Sequence, residues 1–533
     1  MRGHIPRIVA LLFSIALAPV ASAQDHQHAG DPATVGTVRF PTSCSAAAQP
    51  HFEQAVAMLH SFWFEQAQGA FEEVARHDPT CAMAHWGIAM TLLGNPYTGV
   101  APQPERQAAA TAAAERAVAL AASASPRERG YAESVRALHD TKGTPDFRTR
   151  LRAHEAGLDR LRRQAPDDPE ATIFYGRAVI ANAPPDDLAF ERQRYAASLL
   201  EPLFADRPDH PGLAHYLIHA YDSPALAQHG LGAAQRYAGI APAAPHALHM
   251  PSHIFTRLGH WDESIDMNTR SAAAEPNPNA AVHPMDYLVY AYIQQGRHGE
   301  ARRVVDRAIE LPDRFYGGIL GYNFAAMPAR YALERSDWAA AARLTVPTGG
   351  APFVPAITRF ARALGAARGG DAAAARHEIA ALDSLRGVLA DQNNTYWVTI
   401  VEAQRLAASA WAARAAGNDA EAIRLARQAA ELEETVEKHP VTPGPLLPAR
   451  ELEGDLLMEL GRPADALRSY EKTLEREPRR ARALFGAARA AVAARNAETA
   501  RTRYAELVEL MSKADPDRPE VRAARAYLGR AGG

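Results

Sequence analysis

FEQAQGAFEEVARHDP occupies residues 64–79, and the spacing of three of its residues decides the fold. Ala67 and Phe71 stand four apart, which puts a small and an aromatic residue on one helix face. Pro79 closes that helix. Further along, Pro208, Pro242 and Pro276 stand 34 residues apart, a period that fits two antiparallel helices and their turns. A turn followed by a second helix recurs as GHWDES from Gly259, GRHGEA from Gly296, RSDWAAA from Arg335 and GGDAAAA from Gly369. It returns as GNDAEA from Gly417 and GRPADAL from Gly461. Glycine ends the first helix of such a pair, and the small residues after it let two helices approach closely.

With these residues the chain resembles the tetratricopeptide repeat superfamily over most of residues 50 to 515. The period stretches to 37 residues between Gly259 and Gly296, and to 44 between Gly417 and Gly461. HALHMPSHIFTRLG (246–259) and KHPVTPGPLLPAREL (438–452) resemble a group of exported bacterial repeat proteins with no assigned activity. The resemblance thus implies a fold and no chemistry.

The residues by themselves give the same architecture. Runs such as AEAIRLARQAAELEETV (420–436) and ALRSYEKTLERE (466–477) place apolar residues at helical spacing, and no stretch alternates as a strand would. Each helix pair is too small to bury its own apolar face, so the pairs must stack. The expected fold class is all-α, a tetratricopeptide-like solenoid of about eleven or twelve pairs. Residues 24–50 read as an extended segment, 51–345 as an N-terminal lobe and 354–515 as a C-terminal lobe. The proline- and glycine-rich VPTGGAPFVP (346–355) marks the boundary between lobes, and 516–533 reads as a capping helix and tail.

With 47% hydrophobic residues and a net charge of −3, the chain has the means for a large core and lacks the basic face that nucleic acid requires. The first 23 residues read as a secretory signal: Arg2 and Arg7, an apolar run from Ile8 to Ala18, and Ala21-Ser22-Ala23 as cleavage site. No later stretch reaches membrane length, so no membrane span is expected after cleavage. The mature chain is then expected in an exported, periplasmic or secreted compartment. There the only two cysteines, Cys44 and Cys81, have only each other; a disulfide is the expectation, two free thiols the alternative. Cleavage after Ala23 would also expose Gln24-Asp25-His26, an arrangement that chelates copper(II) unless Gln24 cyclises.

Familiar catalytic signatures are missing: no GxSxG elbow, no phosphate-binding GxxxxGK[ST], no CxxC and no EF-hand loop. HEAGL (154–158) and HEIAA (377–381) begin like a zinc-protease motif and lack its second histidine, so they read as solvated helix faces. Histidine supplies the chemical signal instead. Residues 210–253 hold seven of the chain's 21 histidines: His210, His215, His219, His229, His246, His249 and His253. His215 and His219 are four apart, as are His249 and His253, and 34 residues separate the two pairs. They are therefore equivalent positions on neighbouring first helices, the fifth and ninth of their repeats. His246 is a second position, and His283 opens the next first helix. In the superfamily these positions typically face the concave groove. Imidazoles converging on one patch suit zinc or copper. The expectation is one metal site of His215, His219, His249 and His253, with His246 and His283 as supporting groups or substitutes. The plain alternative is that each histidine packs singly along a polar groove. Pro251 either kinks this helix or starts it.

Other residues carry weaker signals. His60 and His85 could reach the inner surface or serve in the core. Glu451 and Asp455, also four apart, could form an acid–base or cation site. Arg330 and Trp411 sit at ninth positions and, with Glu451 and Asp455, are expected to line the groove. Tyr287, Tyr290, Tyr292 and Tyr322 could do the same. Two functions follow: a scaffold that binds a peptide or protein partner in its concave groove, and a metal-dependent enzyme or metal-storage protein using the histidines. Metal affinity is expected to fall as pH drops through the ordinary histidine range near 6.5.

Overall fold

The computed structural model describes residues 34–531 apart from 145, 313, 315, 318, 319 and 517. The signal segment and Gln24-Asp25-His26 lie outside them. Among the described residues the chain forms 26 α-helical segments and one 3-10 turn, and no strand. The opening stretch forms the helix Phe64–His77, which buries Ala67, Phe71 and Val74. Its Phe71 lies so close to the next helix that a Cβ at Gly87 would stand 2.3 Å from the ring. Only glycine permits that approach. At the turn of GHWDES, Gly259 takes φ +70°, the left-handed conformation that ends a first helix cheaply without a Cβ.

One apolar core runs from Val35 to Phe255 and a second from Tyr322 to Leu456. The second core crosses the stretch 346–355, so that stretch does not separate two cores and the expected lobe boundary is not where packing divides. A third core joins Trp261, Leu288 and Tyr290 to residues between Leu457 and Ala524. The C-terminal repeats thus curl back onto the middle of the chain, held by Trp261 Nε1 donating to the Arg479 carbonyl at 3.2 Å and Asp515 N to the Gly296 carbonyl at 3.1 Å. No described helix is long and apolar enough to cross a membrane.

The segment KHPVTPGPLLP (438–448) does not hang outside the solenoid. It lies against the helices Val282–Gln294 and Leu320–Glu334. Tyr287 Oη donates to the Thr442 carbonyl at 3.2 Å, and Asn323 Nδ2 to that of Val441 at 3.1 Å. Arg330 donates to the carbonyls of Pro445 at 2.7 Å and Gly444 at 3.2 Å. This corrects the expectation for Arg330: it is fully buried and paired with Asp286, and grips the chain's own segment in place of a partner.

Cys44 and Cys81 form a disulfide with Cα atoms 4.8 Å apart, tying residues before the first helix to the start of Ala82–Leu93. The bond closes a loop with a sequence separation of 37. In the chain-entropy model a loop of that size contributes about 3 to 4 kcal/mol. Ellman titration of the unfolded, unreduced protein is therefore expected to find no thiol, and reduction to lower unfolding stability by about that amount. Two titratable thiols would contradict the pairing.

Candidate metal centre

The histidines come from four helices in sequence: Pro211–Tyr221, Pro245–His249, Pro251–Leu258 and Val282–Gln294. Pro251 interrupts the ladder without turning the chain away, because Met250 keeps helical angles (φ −54°, ψ −37°). Pro251 starts the helix Pro251–Leu258 directly after the short helix Pro245–His249, so His246 and His249 stand on a helical turn and not in a loop.

The six histidines form two groups of three, not one group of four. His215 Nε2 lies 3.1 Å from His219 Nε2 and 3.1 Å from His246 Nε2. In the second group His249 Nε2 lies 3.0 Å from His253 Nε2, and the His283 ring centroid is 4.4 Å from that of His249. Within each triad, one ring nitrogen per residue lies within 4.8 Å of the others. The expected set of His215, His219, His249 and His253 is thus redrawn: His246 and His283 are full members, and each triad takes the fifth and ninth positions of one repeat with the second of the next. The reason is the stacking of repeats, which sets the start of each first helix over the middle of the one before. His283 is therefore the equivalent of His246, and the extra residues of the 37-residue period fall in the connection before it. The triads adjoin, with ring centroids 6.2 Å apart for His219 and His253 and 6.1 Å for His246 and His249.

Hydrogen bonds behind the rings fix which nitrogens face inward. His215 Nδ1 donates to the His60 carbonyl at 2.6 Å, so its Nε2 carries a lone pair. Asn268 gives its Nδ2 hydrogens to the Ser264 carbonyl at 2.7 Å, leaving Oδ1 to accept from His249 Nδ1 at 2.7 Å. His253 Nδ1 donates to Asp222 at 2.8 Å. The Nε2 atoms of His249 and His253 are thereby both bare, and they face each other at 3.0 Å. Two lone pairs at that distance repel unless a cation lies between them. Such outer partners fix ring orientation at metal sites.

Burial, with the charge of neighbouring histidines, pushes His215, His219, His246, His249 and His283 well below the ordinary histidine value. His253 is lowered by burial too, against the opposing pull of Asp222. Burial acts to raise the Asp222 carboxyl, but Lys438, Arg257 and His253 together hold it well below the usual range. At neutral pH the six rings are neutral, the state in which imidazole binds metal.

A third cluster has the look of a site and is fully satisfied. Glu170 accepts from His60 Nε2 at 2.9 Å and His210 Nε2 at 2.7 Å. His60 Nδ1 meets the Tyr216 hydroxyl at 2.9 Å, and His210 Nδ1 caps its helix by accepting from Leu213 N at 3.3 Å. Every ring nitrogen of the two histidines has a partner, so His60 belongs to the core and orients His215 through its carbonyl. His85 is half-buried and lies outside all three clusters. Glu451 is fully buried between Arg480, at 2.7 Å, and Arg482, at 2.8 Å. Asp455 is taken by Arg482 at 2.6 Å and the Tyr470 hydroxyl at 2.6 Å. Trp411 is buried beneath Arg368, 3.9 Å from its ring. Glu451 and Trp411 hold the fold, whereas Asp455 keeps a partly exposed edge and lines a pocket with Arg482 and Arg489. Of the tyrosines, Tyr287 touches the centre, its ring 4.8 Å from His249 and 5.1 Å from His253. Sequence reasoning missed Asp222, Asn268 and Lys438; only the HxxxH spacing hinted that partners should stand behind.

Residues 457–528 match the family model of a tetratricopeptide repeat. No curated protein matches the chain. Among solved structures, the crystal structure of the APC/C hetero-tetramer Cut9–Hcn1 aligns over 91% of this chain and 90% of that one, at 12% identity and a TM-score of 0.32.

Proposed function

Taking the chain as a member of the tetratricopeptide repeat superfamily, we propose that it is an exported metalloenzyme whose solenoid carries a pair of three-histidine metal sites. The observation that carries this reading is the facing of bare Nε2 atoms at 3.0 Å between His249 and His253, with the Nε2 atoms of His219 and His246 each 3.1 Å from that of His215 one period earlier. Three protein ligands per ion leave a coordination place for water or substrate, the arrangement of catalytic rather than structural sites. The two triads adjoin closely enough for paired action on one ligand. Every donor is a neutral imidazole. No carboxylate ligand offsets the ions' charge, and three imidazoles suit copper and zinc alike.

The fold is one widely used to bind proteins, but the face of Val282–Gln294 and Leu320–Glu334 is filled by residues 438–445. A peptide partner in the groove would have to displace that segment or use another face. The metal reading is therefore preferred to the scaffold.

Elemental analysis after copper loading and gel filtration tests it. Wild type is expected to hold two ions per chain, and His215→Ala/His219→Ala and His249→Ala/His253→Ala one each, at matched circular dichroism. Uptake of neither copper nor zinc at micromolar concentration would remove the proposal. Uptake of zinc in place of copper would decide the metal and leave the two sites standing.

Acid release gives a second check. Protonated imidazole binds no metal, so lowering the ligands' pKa moves the loss of metal to lower pH. Because burial depresses all six rings, the metal is expected to survive dialysis at about pH 6, where ordinary histidines are mostly protonated. Release at that pH would mean open, solvated rings.

A further inference from the structure

Arg177, on the helix Pro169–Ala181, is only 3% exposed, and no carboxylate among the described residues lies within ion-pair distance of it. Its Nη1 has no hydrogen-bond partner. The guanidinium lies 5.8 Å from the Phe62 ring, which stands 4.4 Å from His215 and stacks on His246 at 5.2 Å. It hydrogen-bonds the neutral Tyr216 hydroxyl, and its charge reaches Tyr97 and His215. Among the buried hydroxyls around the same triad, Tyr97 Oη lacks a partner, and those of Tyr237 and Ser61 have only each other. The Tyr97 ring is 4.0 Å from His219, and Tyr237 stacks on His215 at 5.3 Å.

An unpaired buried cation is among the costliest features a fold can carry, and an orphaned hydroxyl adds to the cost. Beside a metal triad of neutral ligands the positive charge grows further. An anion answers both. A guanidinium presents a planar fork that matches a carboxylate. A cleft of about 710 Å³ lies alongside, lined by Tyr97 and His219 and by Ile180 and Ala181, which stand one helical turn beyond Arg177; Arg177 itself lies behind that lining. Its far wall is aromatic, with Phe353 stacked on Trp397 at 4.3 Å. Arg148, Lys438, Asp187, Asp222 and Glu437 also line it, and its size suits a small organic molecule.

We propose that Arg177, with the hydroxyls of Tyr97 and Tyr237, binds the carboxylate of a small aromatic acid that enters by this cleft and comes to lie against the His215, His219 and His246 triad. This names the substrate class of the metal centre and rests on that reading, yet the pocket can be tested without metal.

Benzoate is the probe, titrated calorimetrically into chelator-treated protein, with benzamide as its neutral isostere and acetate and phosphate as small anions. Benzoate is expected to bind and benzamide not. Arg177→Met is expected to weaken benzoate at least about 10-fold, the scale of a charged hydrogen bond. Its ligand-free melting temperature should hold or rise, since an uncompensated charge is gone. Tyr97→Phe, a milder change at the cleft, should weaken benzoate about 5-fold or more. Unchanged benzoate affinity in both variants, or equal binding of benzamide, would overturn the carboxylate assignment. Acetate or phosphate binding as tightly as benzoate would overturn the aromatic part. Benzoate binding by a chain that takes up no metal would sink the metal reading and leave this pocket. Metal uptake without benzoate binding would do the reverse.

Discussion

Asp222→Asn is expected to weaken copper binding at the His249, His253 and His283 triad about 10- to 100-fold, the cost of losing a partner behind a metal ligand. The carboxylate stands just past the helix Pro211–Tyr221 and serves three groups: His253 Nδ1 at 2.8 Å, Arg257 Nε at 2.9 Å and Lys438 Nζ at 3.1 Å. All are nearly inaccessible, the Lys438 side chain being 4% exposed and that of Arg257 2%. An amide keeps the shape and an acceptor for His253 but removes the charge. Arg257 retains Glu437 at 2.7 Å, while Lys438 loses its closest counter-charge. Breaking a buried pair in this way costs about 3 to 5 kcal/mol, so urea unfolding of the metal-free variant should show a loss of that order. Copper titration by calorimetry reads the affinity separately. A variant as stable as wild type, with its second site undiminished, would mean that Asp222 neither orients His253 nor holds the segment bearing Lys438.

Helix pairs were legible in the sequence because a 34-residue period repeats small residues, glycines and prolines at the positions where helices touch. Gly87 against Phe71 is such a contact, written in the spacing of 64–79 and its successor. The histidines were legible for the same reason: a ligand at a repeat position recurs one period later. How they divide was not legible. That depends on the stagger between consecutive first helices, which decides that His246 turns to His215 and not to His253. The groove misled more seriously. Ninth positions face inward, as Arg330 does, but spacing does not say what fills the space. Segment 438–448 lies inside the curve with its carbonyls on Arg330 and its lysine on Asp222. Contacts across more than a hundred residues leave no local pattern.

That arrangement makes Arg330 the place to ask whether the C-terminal part of the chain governs the metal centre. Arg330 touches none of the six histidines. It donates to Pro445 and Gly444 carbonyls and to Thr442 Oγ1, and pairs with Asp286, which is itself fully buried. Arg330→Met removes all of these at once. It leaves Asp286 with Asn323 Nδ2 at 3.4 Å, and the expected loss of stability is about 3 to 5 kcal/mol. Burial already raises the Asp286 carboxyl against the pull of Arg330, so the variant's carboxyl should be protonated at higher pH still. The segment, freed of its clamp, should become cleavable between 438 and 448 in limited proteolysis. Lys438 begins that segment, so its loosening should also weaken the hold on Asp222 and, through His253, on the second metal ion. Arg480→Met is the control, because it breaks a comparably buried pair with Glu451 without touching the segment. Copper affinity should fall in the Arg330 variant beyond its fall in the Arg480 variant at matched stability. Equal affinities in the two, with the segment cleaved only in the first, would show that segment 438–448 covers the groove without governing the metal centre.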